Sequence, residues 1–292
     1  MLHFLHPWVV REGRQGKEEY ALLALAIIVG IQLLGCVAST RSHATRLFEA
    51  SSGVSVAGAC LFTLLIRGTY FPRQVIATVL VCAWGIRLSR FLYARNKKIE
   101  RHNVLARICW SLLCALPVVI ANTKQMEVHR ATLVEMFWIF IAGASIGFED
   151  AADVQKMNWH SHYADIQRPG KSEQTAPVCT DGLWAHCRHP NLFFECLFWW
   201  SIFFIVLPTT NTEFYLFICP VLLTCGILVL PGGIMTQETQ RNKDYEFYPS
   251  YQHYKKTTPV FFPLKAVHNI MMRIAPHAAE TFCLELSMYN GS

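Results

Sequence analysis

The sequence predicts an all-α fold, a multi-pass membrane bundle of about seven transmembrane helices, and three observations lead there. Of 292 residues, 53% are apolar and only 16% are charged, against roughly 25% charged in soluble domains. Several segments reach the ~20 mostly apolar residues that a helix needs to cross hydrocarbon. The third observation is the stretch from Thr180 to Pro208, TDGLWAHCRHPNLFFECLFWWSIFFIVLP. Its charged, proline-broken lead-in (Arg188, His189, Pro190, Asn191) runs into an apolar segment whose only ionisable groups are Glu195 and Cys196. A carboxylate is costly in lipid and marks function there.

The spans are taken in order. Residues 1–19 form a polar N-terminal segment with no apolar core, and Tyr20–Ala38 is long enough to be a retained span instead of a cleaved signal. After Arg41 and Arg46 comes a weaker span near Ser52–Ile66, whose Gly53, Ala57, Gly58 and Ala59 suit close helix packing. Gln74–Tyr93 is the third span, with Arg87 and Arg90 near its end; either both snorkel to headgroups or Arg87 faces inward to an anionic ligand. Val104–Ala121 contains Pro117, which a membrane helix tolerates. Thr132–Phe148 carries one exposed-looking acid, Glu135, and exits into the polar run GFEDAADVQKMNWHSHY. The stretch from Thr180 supplies the sixth span and Glu213–Pro231 the seventh. Residues 20–264 are expected to form one transmembrane domain, and 265–292 a tail.

Counting Lys and Arg by side of a seven-span arrangement puts 16 on the face shared by the 149–191 loop and the C-terminus, and 7 on the other. The positive-inside rule makes the richer face cytosolic. The net charge of +6 is assigned to this orientation and not to nucleic acid, because no basic residues interleave with aromatics along one soluble face. The eleven cysteines are scattered without a C-x-x-C pair and act in apolar helices as small hydrophobes. Cys179, His186, Cys187 and His189 fit none of the usual structural zinc spacings, so no metal is expected.

Neither a G-x-G-x-x-G nor a P-loop occurs in the chain, which excludes a soluble Rossmann domain. A nucleotide would therefore be held between helices and loops. Arg87, Lys156, Arg168, Lys171, Arg188 and Arg241 are available as phosphate partners, the planar arginine fork suiting two phosphate oxygens at once. Asp153 and Asn191 are candidate hydrogen-bonding groups. Glu195 stands four residues after Asn191, on the same helix face. Trp199 and Trp200 read as lipid-facing or packing residues, and His160, His162 and His186 as interfacial.

The pattern G-L-W-x-x-x-R-H-P-N-x-x-x-E-x-x-x-W-W at Gly182 to Trp200 resembles the C-terminal domain of the steroid 5α-reductase superfamily, most closely its uncharacterised multi-spanning branch. The blocks WGIRL (Trp84 to Leu88) and F-E-x-x-A-D-x-Q-K (Phe148 to Lys156) agree, as does the tail with Glu238, Tyr248, Tyr251, Tyr254, Thr258 and Pro263. The likeness spans roughly residues 45 to 264 and is strongest over 84–263. The R-H-P part is shared with the architecturally similar isoprenylcysteine carboxyl methyltransferases.

What this resemblance implies is an integral-membrane enzyme of endoplasmic reticulum type, with NADPH in a cavity among the C-terminal helices and a lipid-like substrate arriving from the bilayer. The implied reaction is hydride transfer to a C=C of a sterol, enone or polyprenoid lipid, with a Tyr or an acid giving the proton. By position, Asn191 and Glu195 match the cofactor-contacting N-x-x-x-E pair within the block that holds Arg188 and His189. Arg168 with Pro169 and Gly170 resembles the phosphate loop, Asp153 the acid after the fifth span, and Tyr248 with Pro249 the Tyr-Pro of the cofactor cavity. Departures are Leu192 and Phe194, bulkier than the usual residues after R-H-P-N, and Gln237-Glu238 where the methyltransferases have paired glutamates. No equivalent is found for the substrate-holding Glu and Tyr of the steroid reductases. Two alternatives stay open: an S-adenosylmethionine-dependent methyltransferase of a lipid-linked substrate, and a non-catalytic scaffold or lipid-binding protein.

Overall fold

Every regular element in the computed structural model is helical among the residues it describes, which are 15–42, 45–95, 104–124, 132–166, 178–210, 214–230, 233–263 and 265. The helices are α1 (Gln15–Ser42), α2 (Thr45–Arg67), α3 (Pro72–Arg95), α4 (Val104–Thr123), α5 (Leu133–Ile166), α6 (Pro190–Val206), α7 (Ile218–Val229), α8 (Ile234–Tyr245) and α9 (Pro249–Thr257). Three of them, α3, α6 and α9, start on proline, whose fixed φ and missing N–H suit the first helical position. The loop with Arg168, Pro169, Gly170 and Lys171, and the tail beyond residue 265, lie outside the described residues.

Among the described residues five stretches are long and apolar enough to cross a membrane: Leu22–Ser42, Arg46–Ile66, Pro72–Arg95, Val104–Thr123 and Ile218–Tyr245, the last of which takes in α7 and α8. The expected number of seven is therefore approximate. The second span, weak in the sequence, is a full 21-residue stretch. The sixth is apolar but only 17 residues long, as α6. The fifth is the front of α5, whose 34 residues extend about 50 Å at 1.5 Å each. The polar exit after Phe148 is thus a continuation of the helix.

By its internal contacts the chain divides into two compact units, Met1–Gly143 with Phe198–Leu223, and Ala144–Leu197 with Thr224–Ser292. In the first unit α2 packs on α1, α3 and α4. Its interior is sewn by buried amides: Gln32 Nε2 donates to Ser55 Oγ (3.2 Å) and Ser111 Oγ (3.0 Å), and Gln74 Nε2 to the Ala121 carbonyl (2.9 Å). Such bonds satisfy polar groups that hydrocarbon cannot. Trp84 lies parallel to Phe198 at 5.9 Å and edge-on to Trp199 at 4.7 Å, so Trp199 is a packing residue. Glu135, exposed-looking in the sequence, is buried. It accepts from the Thr132 N–H (2.8 Å), donates its own N–H to Thr132 Oγ1 (3.3 Å), and pairs with Arg73 at 2.5 Å. Thr132-x-x-Glu135 is a capping box that closes the start of α5.

Candidate functional site

The second unit assembles from a turn docked on a helix. Gly182 has φ +60, and a Cβ there would come within 2.6 Å of Gln155 Oε1. Only glycine turns the chain so tightly against α5. The 3₁₀ turn that follows, Gly182–Ala185, is pinned at three points. The Leu183 N–H donates to Gln155 Oε1 (3.0 Å), the Trp184 indole N–H to the Ala152 carbonyl (3.0 Å), and the Tyr254 hydroxyl to the Trp184 carbonyl (2.6 Å). Lys156 Nζ stands 4.8 Å above the Trp184 ring, a cation–π contact. The G-L-W and A-D-x-Q-K blocks thus meet through Ala152, Gln155 and Lys156.

Beyond the turn, Arg188 and His189 turn inward to one carboxylate. Arg188 is 1% exposed and Glu238 7%. Arg188 Nη1 pairs with Glu238 Oε2, while its Nε donates to the Thr258 carbonyl at 3.1 Å. The His189 Nε2–H donates to Glu238 Oε1 at 2.7 Å, and Arg241 Nη1 reaches the same oxygen at 3.3 Å and the Arg188 carbonyl at 3.4 Å. The Arg188 N–H donates to the Pro259 carbonyl (2.9 Å), and the Cys187 thiol to that of Phe261 (3.0 Å). Burial pushes this thiol up to about 12, so it stays protonated. One acid on α8 therefore holds Arg188 and His189, while Arg188 and Cys187 tie the R-H-P block to the chain after α9.

Burial of the imidazole, then Arg241, pushes His189 down to about 4, against the partial support of Glu238. From an ordinary value near 6.5, the folded protein keeps His189 neutral while the unfolded chain takes up a proton. This contribution to stability is complete above pH 6.5 and is lost as the pH falls toward 4. The thermal midpoint in detergent is expected to drop between pH 7 and pH 4.5, with a shallower slope in His189→Gln, which donates without titrating.

Asp153, Asn191 and Glu195 form a second polar group. Asn191 Nδ2 donates to Asp153 Oδ1 at 3.1 Å, and Phe148 stacks on Phe194 with centroids 5.0 Å apart. Glu149 and Asp153 are buried, one helical turn apart on α5. Asn191 and Glu195 are spaced likewise on α6 and are half-buried. Tyr248 is half-buried at the start of α9, its ring 6.3 Å from that of Tyr245. Arg87 sits elsewhere, buried in α3 of the first unit, whereas Arg90 is exposed.

A half-open cleft of about 240 Å³ lies in the second unit, lined in part by Lys156, His160, Trp184, Arg241, Asp244 and Tyr245. Burial, then Lys156 and Arg241, hold the His160 imidazole below its usual range. Lys156 and Arg241, separated by more than eighty positions, are thereby brought to one cavity. The roles of Gln155, Thr258 and the Tyr254 hydroxyl are absent from the sequence reading. The glycine of G-L-W was their one local signal.

The fold and this unit define an α-helical, multi-pass membrane protein with a polar, partly cationic site on its C-terminal helices. The chain matches the family described as protein of unknown function (DUF1295) over residues 36–103 and 101–258, and it belongs to that family. No curated protein and no solved structure matches it.

Proposed function

We propose that the protein is an integral-membrane reductase that uses NADPH to reduce a C=C bond of a sterol, enone or polyprenoid lipid. The carrying observation is the cleft that unites Lys156 and Arg241 with the Trp184 and Tyr245 rings. At about 240 Å³ it is smaller than the ~300–1,000 Å³ of pockets that enclose a whole ligand, so it takes the phosphate-bearing end. The Arg241 fork, steadied by Glu238, and the Lys156 ammonium would hold the phosphates. Arg188 and His189 act one layer behind, keeping Glu238 and so Arg241 in place. Asn191, Glu195 and Asp153 would orient the rest of the cofactor by hydrogen bonds. Bound NADPH supplies the hydride; the protein positions it and excludes water. The resemblance of the R-H-P-N-x-x-x-E and A-D-x-Q-K blocks to the steroid 5α-reductases supports the reading, and the Asn191 bond to Asp153 joins those two blocks. The charge count supports a cytosolic orientation for the loops of this unit, and the resemblance supports an endoplasmic reticulum membrane.

The test is titration of detergent-purified protein with NADPH and, in parallel, with S-adenosylhomocysteine, following the thermal midpoint, which a ligand of the folded state raises. Saturable stabilisation by NADPH alone is expected. Lys156→Ala should weaken binding about tenfold, the equivalent of one charge-assisted bond. Stabilisation by S-adenosylhomocysteine instead would make the protein a methyltransferase, and a response to neither a non-catalytic lipid-binding protein or scaffold.

A further inference from the structure

The first unit carries a charged cluster that the reductase reading does not use. The C-terminal end of α3 and the starts of α2 and α4 come together around Glu49, which is fully buried. Arg95 Nη2 lies 3.4 Å and Arg107 Nη2 4.0 Å from the same oxygen, Glu49 Oε1. Arg107 also donates to Ser52 Oγ (3.0 Å) and lies over the Phe48 ring at 4.8 Å. Arg46 covers the Tyr93 ring at 4.7 Å. Glu49 Oε2 has no hydrogen-bond partner among the described residues, so neither Arg95 nor Arg107 makes the two-oxygen contact its fork allows.

One carboxylate cannot neutralise two guanidinium groups, and Arg46, three residues before Glu49 on α2, adds a third positive charge at the same end of that helix. Only the acid is buried: the Arg107 side chain is 28% exposed and that of Arg95 41%, so both forks are open to a ligand at the surface. Farther along the same helices the exposed side chains include the apolar Val54 on α2 and Ile86 on α3, with Arg90 also exposed between Ile86 and the cluster. Cationic forks at a helix end, followed along the helices by bare apolar surface, match an amphiphile with an anionic head and hydrocarbon tails.

We propose that Arg46, Arg95 and Arg107 bind the phosphate headgroup of an anionic phospholipid, with its acyl chains against the apolar faces of α2, α3 and α4. Two arginines that share one carboxylate oxygen have spare donors for two phosphate oxygens, which is how basic sites between spans take such headgroups. Glu49 keeps the pair in place and limits its strength.

The experiment uses the full chain in nanodiscs of phosphatidylcholine containing a minor fraction of fluorescent phosphatidylglycerol, with tryptophan-to-probe energy transfer as the readout. Enrichment of phosphatidylglycerol over an equally labelled phosphatidylcholine is expected. Arg107→Gln should lower that enrichment at least fivefold, and Glu49→Gln, which releases both guanidinium groups, should raise it. Arg46→Gln leaves the Glu49 pairings intact, and an unchanged thermal midpoint of this variant shows that a loss of enrichment there does not come from unfolding. Equal retention of the two lipids, unchanged enrichment in Arg46→Gln, or displacement of the labelled lipid by millimolar inorganic phosphate would each overturn the proposal. NADPH titration of the same samples is expected to be unchanged in Arg46→Gln, so failure here is separable from failure of the reductase reading.

Discussion

Glu238→Ala is expected to destabilise the protein by about 3–5 kcal/mol, the range for removing one partner of a buried ion pair. The cause is the charge left behind more than the bond lost. Arg188 is 1% exposed, so its guanidinium would lose its buried counter-charge while keeping the Thr258 carbonyl bond at 3.1 Å. His189 would lose the acceptor 2.7 Å from its Nε2, and Arg241 the carboxylate that steadies it. The control is Arg188→Met combined with Glu238→Leu. Apolar replacements of similar volume often cost little where an ion pair was buried, and more than half of the loss should return. Denaturant unfolding in detergent measures both, and a single variant within about 1 kcal/mol of wild type would sink the argument. Because Arg241 is held by Glu238, NADPH affinity should fall in the single variant even where folding is rescued by low temperature.

The membrane-spanning framework was legible because hydrocarbon imposes length and apolarity on each helix separately, as in α1, α3 and α4. The front of α5 shows where that logic thins. Glu135 looked exposed by polarity alone, yet Thr132 three residues earlier marks it as the closing member of a capping box, a local signal passed over. Past Phe148 the apolar pattern stops, but the helix runs on to Ile166. Its support there is tertiary: Ala152 and Gln155 receive the Trp184 indole and the Leu183 amide. The site divides in the same way. Asn191 and Glu195 share a helix face by spacing alone, whereas Arg188 meets Glu238 fifty positions away, a pairing with no local signature. Many arginines stood equally ready for a phosphate, and only packing separates Arg188, consumed inside the protein, from Arg241 at a cleft.

Gly53→Val is expected to cost about 3 kcal/mol, the upper part of the usual overpacking range, because backbone faces backbone at this crossing. A Cβ on Gly53 would stand 2.2 Å from the Gly85 carbonyl oxygen, and one on Gly85 2.6 Å from the Gly53 carbonyl oxygen. No side chain can rotate aside to relieve either contact. The helices α2 and α3 would have to separate, and the Ser89 hydroxyl bond to the Ala50 carbonyl (2.8 Å) would stretch with them. Small residues allow this approach, and in lipid, where apolar burial offers little drive, close packing is a main source of helix association. Gly30→Ala is the matched control: nothing lies within 4 Å of its Cβ, and alanine is the better helix former, so its stability should be unchanged or slightly raised. A Gly53→Val protein as stable as Gly30→Ala would mean that the two helices can part without penalty, and that the glycines at this crossing are incidental to the fold.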